Sequence, residues 1–555
     1  MKMRRLKELF NEPIVNFLFL CTLFIVAMCA VLSNKVNYHV DEIFTYGKAN
    51  YRTPASFYED KSTGCVFIPI EDGKIYIPGR KVLMDYVTVQ PEYRFNYANV
   101  WRNEAKAVHP PVHTALVHTV SSFFPGRFSL WFAASVNMVF AVLTLVVVRS
   151  LSRCYVQDER VVNIISITFA FSGGILSAVT FLRMYIMAMF WVTLLTYCFV
   201  REVKEGSGKS SFFLKVFAVT VCGAMTHYYS IVYAILISTT YGIWLLFKHR
   251  YREVFRFLGA MTAAGIISYL LFPAMVQHIF FGPRGLEVIG NAANFSDFFN
   301  RLKVFCQIIN KQLFGSLGYI LVLGVIIVSS SLIDKYCCTF NKDGQIDASN
   351  LTHRIRINLP MHYVLLCFPT VIYFIIVSKI TVYQTDRYMF PIYANIILLA
   401  CLVLDGMFCL LSVSKNCKIA ILCFMLCAMT VKSWFTVGWH YLYLDSKPFL
   451  DKVATLPDVD SVCLYKEAWC TCALFMESQT YQSIQFCSFD NKNAKQDIFR
   501  RIKMSNPEKL VVTLVQPPDK HEIYLQKILE QSGTLNHYRK LGSHFYGHTT
   551  SYLLF

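Results

Sequence analysis

Residues 13–47 read PIVNFLFLCTLFIVAMCAVLSNKVNYHVDEIFTYG. The first twenty carry no charge, and about twenty apolar residues in a helix cross a hydrocarbon core of about 30 Å. The segment before them, MKMRRLKELF, holds Lys2, Arg4, Arg5 and Lys7. A basic start and an apolar run are also the layout of a signal peptide. This run is too long for one, however, and no small-x-small cleavage site follows it. It reads as an uncleaved first membrane span. Beyond Leu32 the chain turns polar, and two adjacent acids, Asp41 and Glu42, follow within ten residues.

Working outward, apolar stretches of similar length recur along the 555 residues. Spans are expected near 13–33, 128–149, 161–181, 184–200, 212–226, 229–247, 257–276, 315–333, 361–378, 388–411 and 418–440, about eleven in all. The shorter apolar segment 110–124 reads as a helix lying at the membrane interface. Lys and Arg alternate between loops as cytoplasmic and opposite loops do. Arg149, Arg153 and Arg160 fall on one side, as do Arg201, Lys204 and Lys209, the group Lys248, Arg250, Arg252 and Arg256, the group Lys335, Lys342, Arg354 and Arg356, and Lys415 and Lys418. The N-terminus is then cytoplasmic. The large 34–112 loop, the 277–314 loop and the C-terminal tail are extracytoplasmic.

Composition agrees. Hydrophobic residues make up 55% of the chain and charged residues only 16%, against about a quarter in soluble domains. The net charge of +18 belongs to the loops flanking the spans, so it calls for no nucleic acid. Most of the 19 cysteines sit in apolar runs, Cys21, Cys29, Cys401, Cys423 and Cys427 among them, where the thiol acts as a small apolar group. No zinc-type spacing occurs. Cys463, Cys470, Cys472 and Cys487 lie in the tail as disulfide partners or free thiols.

The membrane domain is expected over 1–444 and a small soluble α/β domain over 445–555. Asp445-Ser446-Lys447-Pro448 reads as a helix start. SVCLY, QSIQFCSF and KLVVTLV read as strands, 494–504 and 519–532 as helices, and SYLLF as a last strand.

Several weak signals carry chemistry. Asp41-Glu42 is either a solvated pair or a reactive one. Ala107-Val108-His109-Pro110-Pro111-Val112-His113 ends the first outer loop, and its double proline fixes the entry to the next helix. His109 is then held at the membrane surface, or it is an exposed turn residue. Arg183 and Tyr185 in FLRMYIMAMF sit at an outer junction, where an arginine needs a partner or a wet cavity; the alternative is a snorkelling side chain. His227 in THYY is a ligand or part of an interfacial aromatic belt. TDRYMFPIY places Asp386, Arg387 and Tyr388 at another outer end, with Lys379 shortly before. By the derived topology all of these lie on one face.

As a set, D-E after the first span, H-P-P at the end of the first outer loop, R-M-Y after the third span and D-R-Y near the last spans resemble the multi-span C-type glycosyltransferases. The nearest likeness is to the bacterial protein O-mannosyltransferase-like and aminoarabinose-transferase-like enzymes. The resemblance covers about residues 1–440. It implies transfer of a sugar from a polyprenyl-phosphate donor to an acceptor. Asp41 would be the base, Glu42 would orient it or the acceptor, and His109 would lie near the reaction centre. Arg183 and Arg387 would hold the carrier phosphate, with Tyr185, His227, Lys379 and Tyr388 as further donor-site candidates. A single carboxylate and direct displacement imply inversion at the anomeric carbon. A divalent metal ion is a further possibility, with Glu104, His109 and His113 as its conceivable ligands. The resemblance places the chain in a bacterial inner membrane with its site on the periplasmic face, an endoplasmic reticulum membrane being the alternative.

Two other classes compete. A flippase or transporter of lipid-linked sugars would show repeated halves and charges near mid-membrane, and neither is evident. A polymerase or ligase of lipid-linked glycans would place its key residues in a late outer loop.

Overall fold

The computed structural model describes residues 13–59, 64–206, 208, 210–337, 360–544 and 547–555. Of the expected basic flanks, Lys2, Arg4, Arg5, Lys7, Lys209, Lys342, Arg354 and Arg356 lie outside them. The chain is a polytopic membrane protein. Among the described residues eight helices are long and apolar enough to cross a membrane, and up to ten if two bent pairs each count as one span. All eleven expected segments are helical, but three depart from a simple crossing. The segment 161–181 breaks into Glu159–Phe171 and Gly173–Thr180, bent by 42°, where the Gly173 N–H turns aside to the Ser433 hydroxyl at 2.8 Å. The segment 212–226 becomes Ser210–Ala224, 15 residues, about 22 Å at 1.5 Å per residue. The segment 315–333 follows Phe298–Phe314 after a 99° bend. Gly315 and Ser316 adopt left-handed backbone there, which ends one helix and redirects the next.

The expected 277–314 loop is mostly helical, as Pro283–Ala293 and Phe298–Phe314. Residues 110–124 contain the helix Val112–Ser122.

By their contacts the residues form two compact units. One comprises the chain up to Cys29, Asn137–Val179 and Met184–Gly438, and holds most of the apolar helices. Its helices are joined by buried polar contacts as well as apolar packing. Asn395 Nδ2 donates to the Tyr233 hydroxyl at 2.8 Å and to Thr196 Oγ1 at 3.2 Å.

The other unit comprises Ala30–Val136, Thr180–Arg183 and Trp439–Phe555. The tail, expected as a domain of its own, thus shares a unit with the first loop. Its six strands are β1 (Ile75–Tyr76), β2 (Asp460–Tyr465), β3 (Ser483–Ser488), β4 (Leu510–Val515), β5 (Tyr538–His544) and β6 (Thr549–Leu554), in the order β1-β3-β2-β4-β6-β5. β2 runs parallel to β3 and β4, while β6 is antiparallel to β4 and β5. The loop supplies the edge strand, with Ile75 opposite Gln485 and Tyr76 opposite Ile484. β4 is buried on both faces, as its uninterrupted LVVTLV requires. Val512 and Leu514 pack on Ile498, Ile502, Leu525 and Ile528 from Lys492–Ser505 and His521–Gln531. Val511 packs on Phe449 and Val453 from Lys447–Val453. Cys463, Cys470, Cys472 and Cys487 are buried free thiols.

The helix Val40–Asn50 follows the first span and is buried along nearly its whole length. Tyr86, itself fully buried, presses its ring against Gly47 so closely that a Cβ there would stand 1.9 Å from Tyr86 Cζ. Gly47→Ala must displace that ring. Overpacking of this kind costs about 1–3 kcal/mol, so the variant should unfold at a clearly lower temperature than wild type. An unchanged melting temperature would mean that the ring has free space to move into.

Candidate functional site

Each end of Val40–Asn50 has a local cause. His39 caps the start: its Nδ1 accepts the Asp41 N–H at 3.0 Å, while the Glu42 carboxylate accepts the His39 N–H at 2.8 Å. This is a reciprocal capping box with histidine in the usual Ser/Thr role. An Nδ1 that accepts from Asp41 N–H carries no proton. The 3.6 Å approach of that nitrogen to the Asp41 carboxylate is therefore not an ion pair.

Glu42 is fully buried and its carboxylate is saturated. Besides His39 N–H it accepts the Leu182 N–H at 2.8 Å, and Lys35 Nζ lies 3.0 Å from each of its oxygens. Lys35 Nζ also donates to the Thr180 carbonyl at 3.3 Å and to the Tyr441 carbonyl, between the rings of Tyr38 and Tyr443. Burial pushes the Glu42 carboxyl up and the Lys35 ammonium down, and each charge offsets part of the other's shift. Two acids adjacent in sequence are thus unequal. Glu42 is spent on the fold, whereas the Asp41 side chain keeps 27% of its surface exposed.

Arg183 is 4% exposed. Its Nη1 donates to the Asp41 carbonyl and to Thr45 Oγ1, both at 2.9 Å, and Thr45 Oγ1 donates to the same carbonyl at 3.0 Å. The arginine expected to hold a phosphate is therefore also a clamp on the backbone of the helix that carries Asp41. Asp41, Thr45 and Lys48 fall at i, i+4 and i+7, on one helical face. Lys48 is buried 2.8 Å from Glu104, which also accepts the Thr114 hydroxyl. Burial is the main cause that lowers the Lys48 pKa, with Arg183 pushing the same way and Glu104 opposing. With Glu104 so engaged, the conceivable metal trio Glu104, His109 and His113 is not assembled: among the described residues no group of three or more His, Cys, Asp or Glu is placed to hold an ion. His109 lies half-buried between the helices Tyr97–Lys106 and Val112–Ser122.

The remaining candidates lie in the first-described unit. His227 caps Tyr228–Phe247 as His39 caps its own helix, with Nδ1 accepting the Tyr229 N–H at 3.1 Å. Tyr185 and His227 lie 5.1 Å apart between ring centres, His227 and Tyr229 also 5.1 Å, and Tyr229 and Tyr388 5.6 Å. Arg387 sits against the Tyr388 and Tyr383 rings, at 5.3 and 5.8 Å. Four of the five expected residues therefore form one aromatic and cationic chain. The fifth, Lys379, donates to the Asn291 carbonyl at 2.7 Å and lies over Phe295. Asp386 is buried, accepting from Gln312 Nε2 at 2.5 Å while Tyr393 donates to Gln312 Oε1 at 2.7 Å.

Sequence reading missed Lys35, Lys48 and Arg301. Lys35 stands seven residues before Glu42 in an otherwise apolar and amide-rich run, which is the signal that could have paired them. Arg301, which donates to the Ser378 carbonyl at 3.0 Å and Thr381 Oγ1 at 3.1 Å, gave no such signal.

No family model and no curated protein matches the chain. Solved structures do. ArnT of Cupriavidus metallidurans in the apo state aligns with a TM-score of 0.51 at 10% identity, covering 97% of each chain. The same protein bound to undecaprenyl phosphate aligns with a TM-score of 0.50 at equal identity and coverage. The chain shares its fold with this ArnT, a GT-C glycosyltransferase.

Proposed function

We propose that this GT-C chain transfers a sugar from a polyprenyl-phosphate carrier to an acceptor, on the extracytoplasmic face of a bacterial inner membrane. The observation that carries the reading is the division of labour between the two adjacent acids: Glu42 saturated and buried, Asp41 partly open on a helix clamped by Arg183. The fold shared with an ArnT solved on undecaprenyl phosphate supports the donor class.

Asp41 is the base. It takes the proton from the acceptor hydroxyl or amine as that atom attacks the anomeric carbon, and the carrier phosphate leaves with the electron pair of the broken C–O bond. A phosphate dianion develops as this happens, and fixed cations in a water-poor site stabilise it without reorganising. Arg387, with Tyr185, His227 and Tyr388 in its aromatic chain, and Lys379 carry the charge and hydrogen-bond donors that such a role requires. Arg183 acts chiefly through Asp41, by fixing the helix. Double displacement requires two carboxyl groups about 5 Å apart, both able to reach the sugar. Glu42 has no face left for substrate, so a single displacement with inversion follows.

The test is purified protein in liposomes given radiolabelled sugars on polyprenyl phosphate, with membrane extract as the acceptor source. Label is expected to move from the carrier to a product of opposite anomeric configuration. Label that stays on the carrier but crosses to the other leaflet would replace this reading with a flippase.

A further inference from the structure

We propose that the tail carries a saccharide-binding cleft at the carboxyl ends of β2 and β4. Ligands of open α/β sheets gather where chains leaving neighbouring parallel strands turn in opposite directions, because the diverging loops leave a crevice. In the order β3-β2-β4-β6-β5, the chain leaving β2 turns toward β3 and the chain leaving β4 turns toward β5. A cleft of about 590 Å³ opens at that point, within the span of about 300–1,000 Å³ usual for small-molecule sites. The neighbouring crevice between β2 and β3 is closed by the first loop. Asp72 accepts the Ser488 N–H at 2.6 Å and a bond from Asn491 Nδ2.

The walls are set before any ligand arrives. Lys466 N–H donates to the Val515 carbonyl at 3.1 Å, and Gln516 N–H donates to the His548 carbonyl at 2.8 Å. Gln516 holds a φ of +48°, and Pro517 and Pro518 stiffen the next two positions. Two of the polar side chains are already oriented: Tyr524 donates to Asp519 at 3.0 Å, and His521 Nδ1 pairs with the Tyr552 hydroxyl at 2.8 Å.

Charge decides the ligand class. Lys466, Glu467, Gln516, Asp519, His521 and His548 line the cleft. Two carboxylates oppose one ammonium, and burial lowers the His521 pKa from its ordinary value, so that imidazole is neutral near pH 7. The helix His521–Gln531 points its positive end here, but Asp519 and Glu522 stand beside it and offset that end. An anion gains little from such a site. A neutral polyol gains much: carboxylates accept from its hydroxyls, Lys466 and Gln516 donate to them, and the paired prolines offer an apolar face to a sugar ring.

The proposal goes beyond the transferase reading, because binding is measured with no donor present. Full-length protein in nanodiscs would be titrated with maltotriose, mannotriose and chitotriose, and with trigalacturonate and inorganic phosphate as anionic contrasts. At least one neutral trisaccharide should bind. Glu467→Gln and Asp519→Asn, which keep shape, should each weaken it tenfold or more with an unchanged melting temperature, and sugar release from the polyprenyl carrier should remain at wild-type rate. Binding of the anions alone, binding of none of the probes, or neutral binding that survives both substitutions would overturn the assignment.

Discussion

Asp41→Asn will abolish most of the transfer while leaving the protein folded. The backbone of residue 41 helps hold the helix start: its N–H is held by His39, and its carbonyl by Arg183 and Thr45. Asparagine keeps all of these and nearly the same shape. What it loses is the carboxylate's ability to accept a proton. General-base catalysis by a positioned side chain contributes about 10²–10⁴-fold, so kcat should fall by that order with KM for the donor little changed. Initial rates with a labelled polyprenyl-phosphate sugar, beside a melting curve for each protein, measure both halves. A variant within about threefold of wild type would remove Asp41 as the base and make His109 the next candidate. Equal loss of rate and of melting temperature would instead give Asp41 a structural role.

That separation was only half legible in the sequence. Span positions follow from apolar length, and all eleven segments came out helical because no other structure satisfies the backbone of an apolar run in lipid. Strands β2, β3, β4 and β6 were equally readable from their short runs of aliphatic, aromatic and β-branched residues. β5, reading YRKLGSH, lacks such a run and was missed. β1 exists only because β3 offers it an edge, which no local pattern in the first loop announces. The same limit applies to the site. D-E, H-P-P and D-R-Y are local strings and were found. The distinction between Asp41 and Glu42 depends on Lys35, Leu182 and Tyr441, brought together by the fold from three parts of the chain. Arg183 shows the cost of reading a charge without its partners: an arginine near a lipid phosphate site suggests a ligand, yet its Nη1 is committed to the helix backbone.

The second large effect belongs to Lys35. Lys35→Met removes the only charge that pairs with Glu42 among the described residues while keeping the length and apolar bulk of the stem. Breaking a buried pair by removing one partner costs about 3–5 kcal/mol, because the remaining charge is left in a low dielectric. The loss should depend on pH, with a sign set by Glu42. Burial already raises that carboxyl, and without Lys35 it rises further. A folded-state pKa above the unfolded value means that the protonated protein is favoured. Stability is therefore fully present below the ordinary carboxyl range and is lost as pH rises through the folded value. Melting curves of the variant should approach wild type near pH 5 and fall away by pH 8. Adding Glu42→Gln should flatten that dependence and recover part of the loss, since a neutral amide retains an oxygen to accept the Leu182 or His39 N–H. A loss that is equal at both pH values, and unrelieved in the double variant, would mean that Lys35 acts through its packing against Tyr38 and Tyr443 and not through charge. In either case Glu42 ties the start of the Asp41 helix to Leu182, one residue before the arginine whose Nη1 donates to the Asp41 carbonyl.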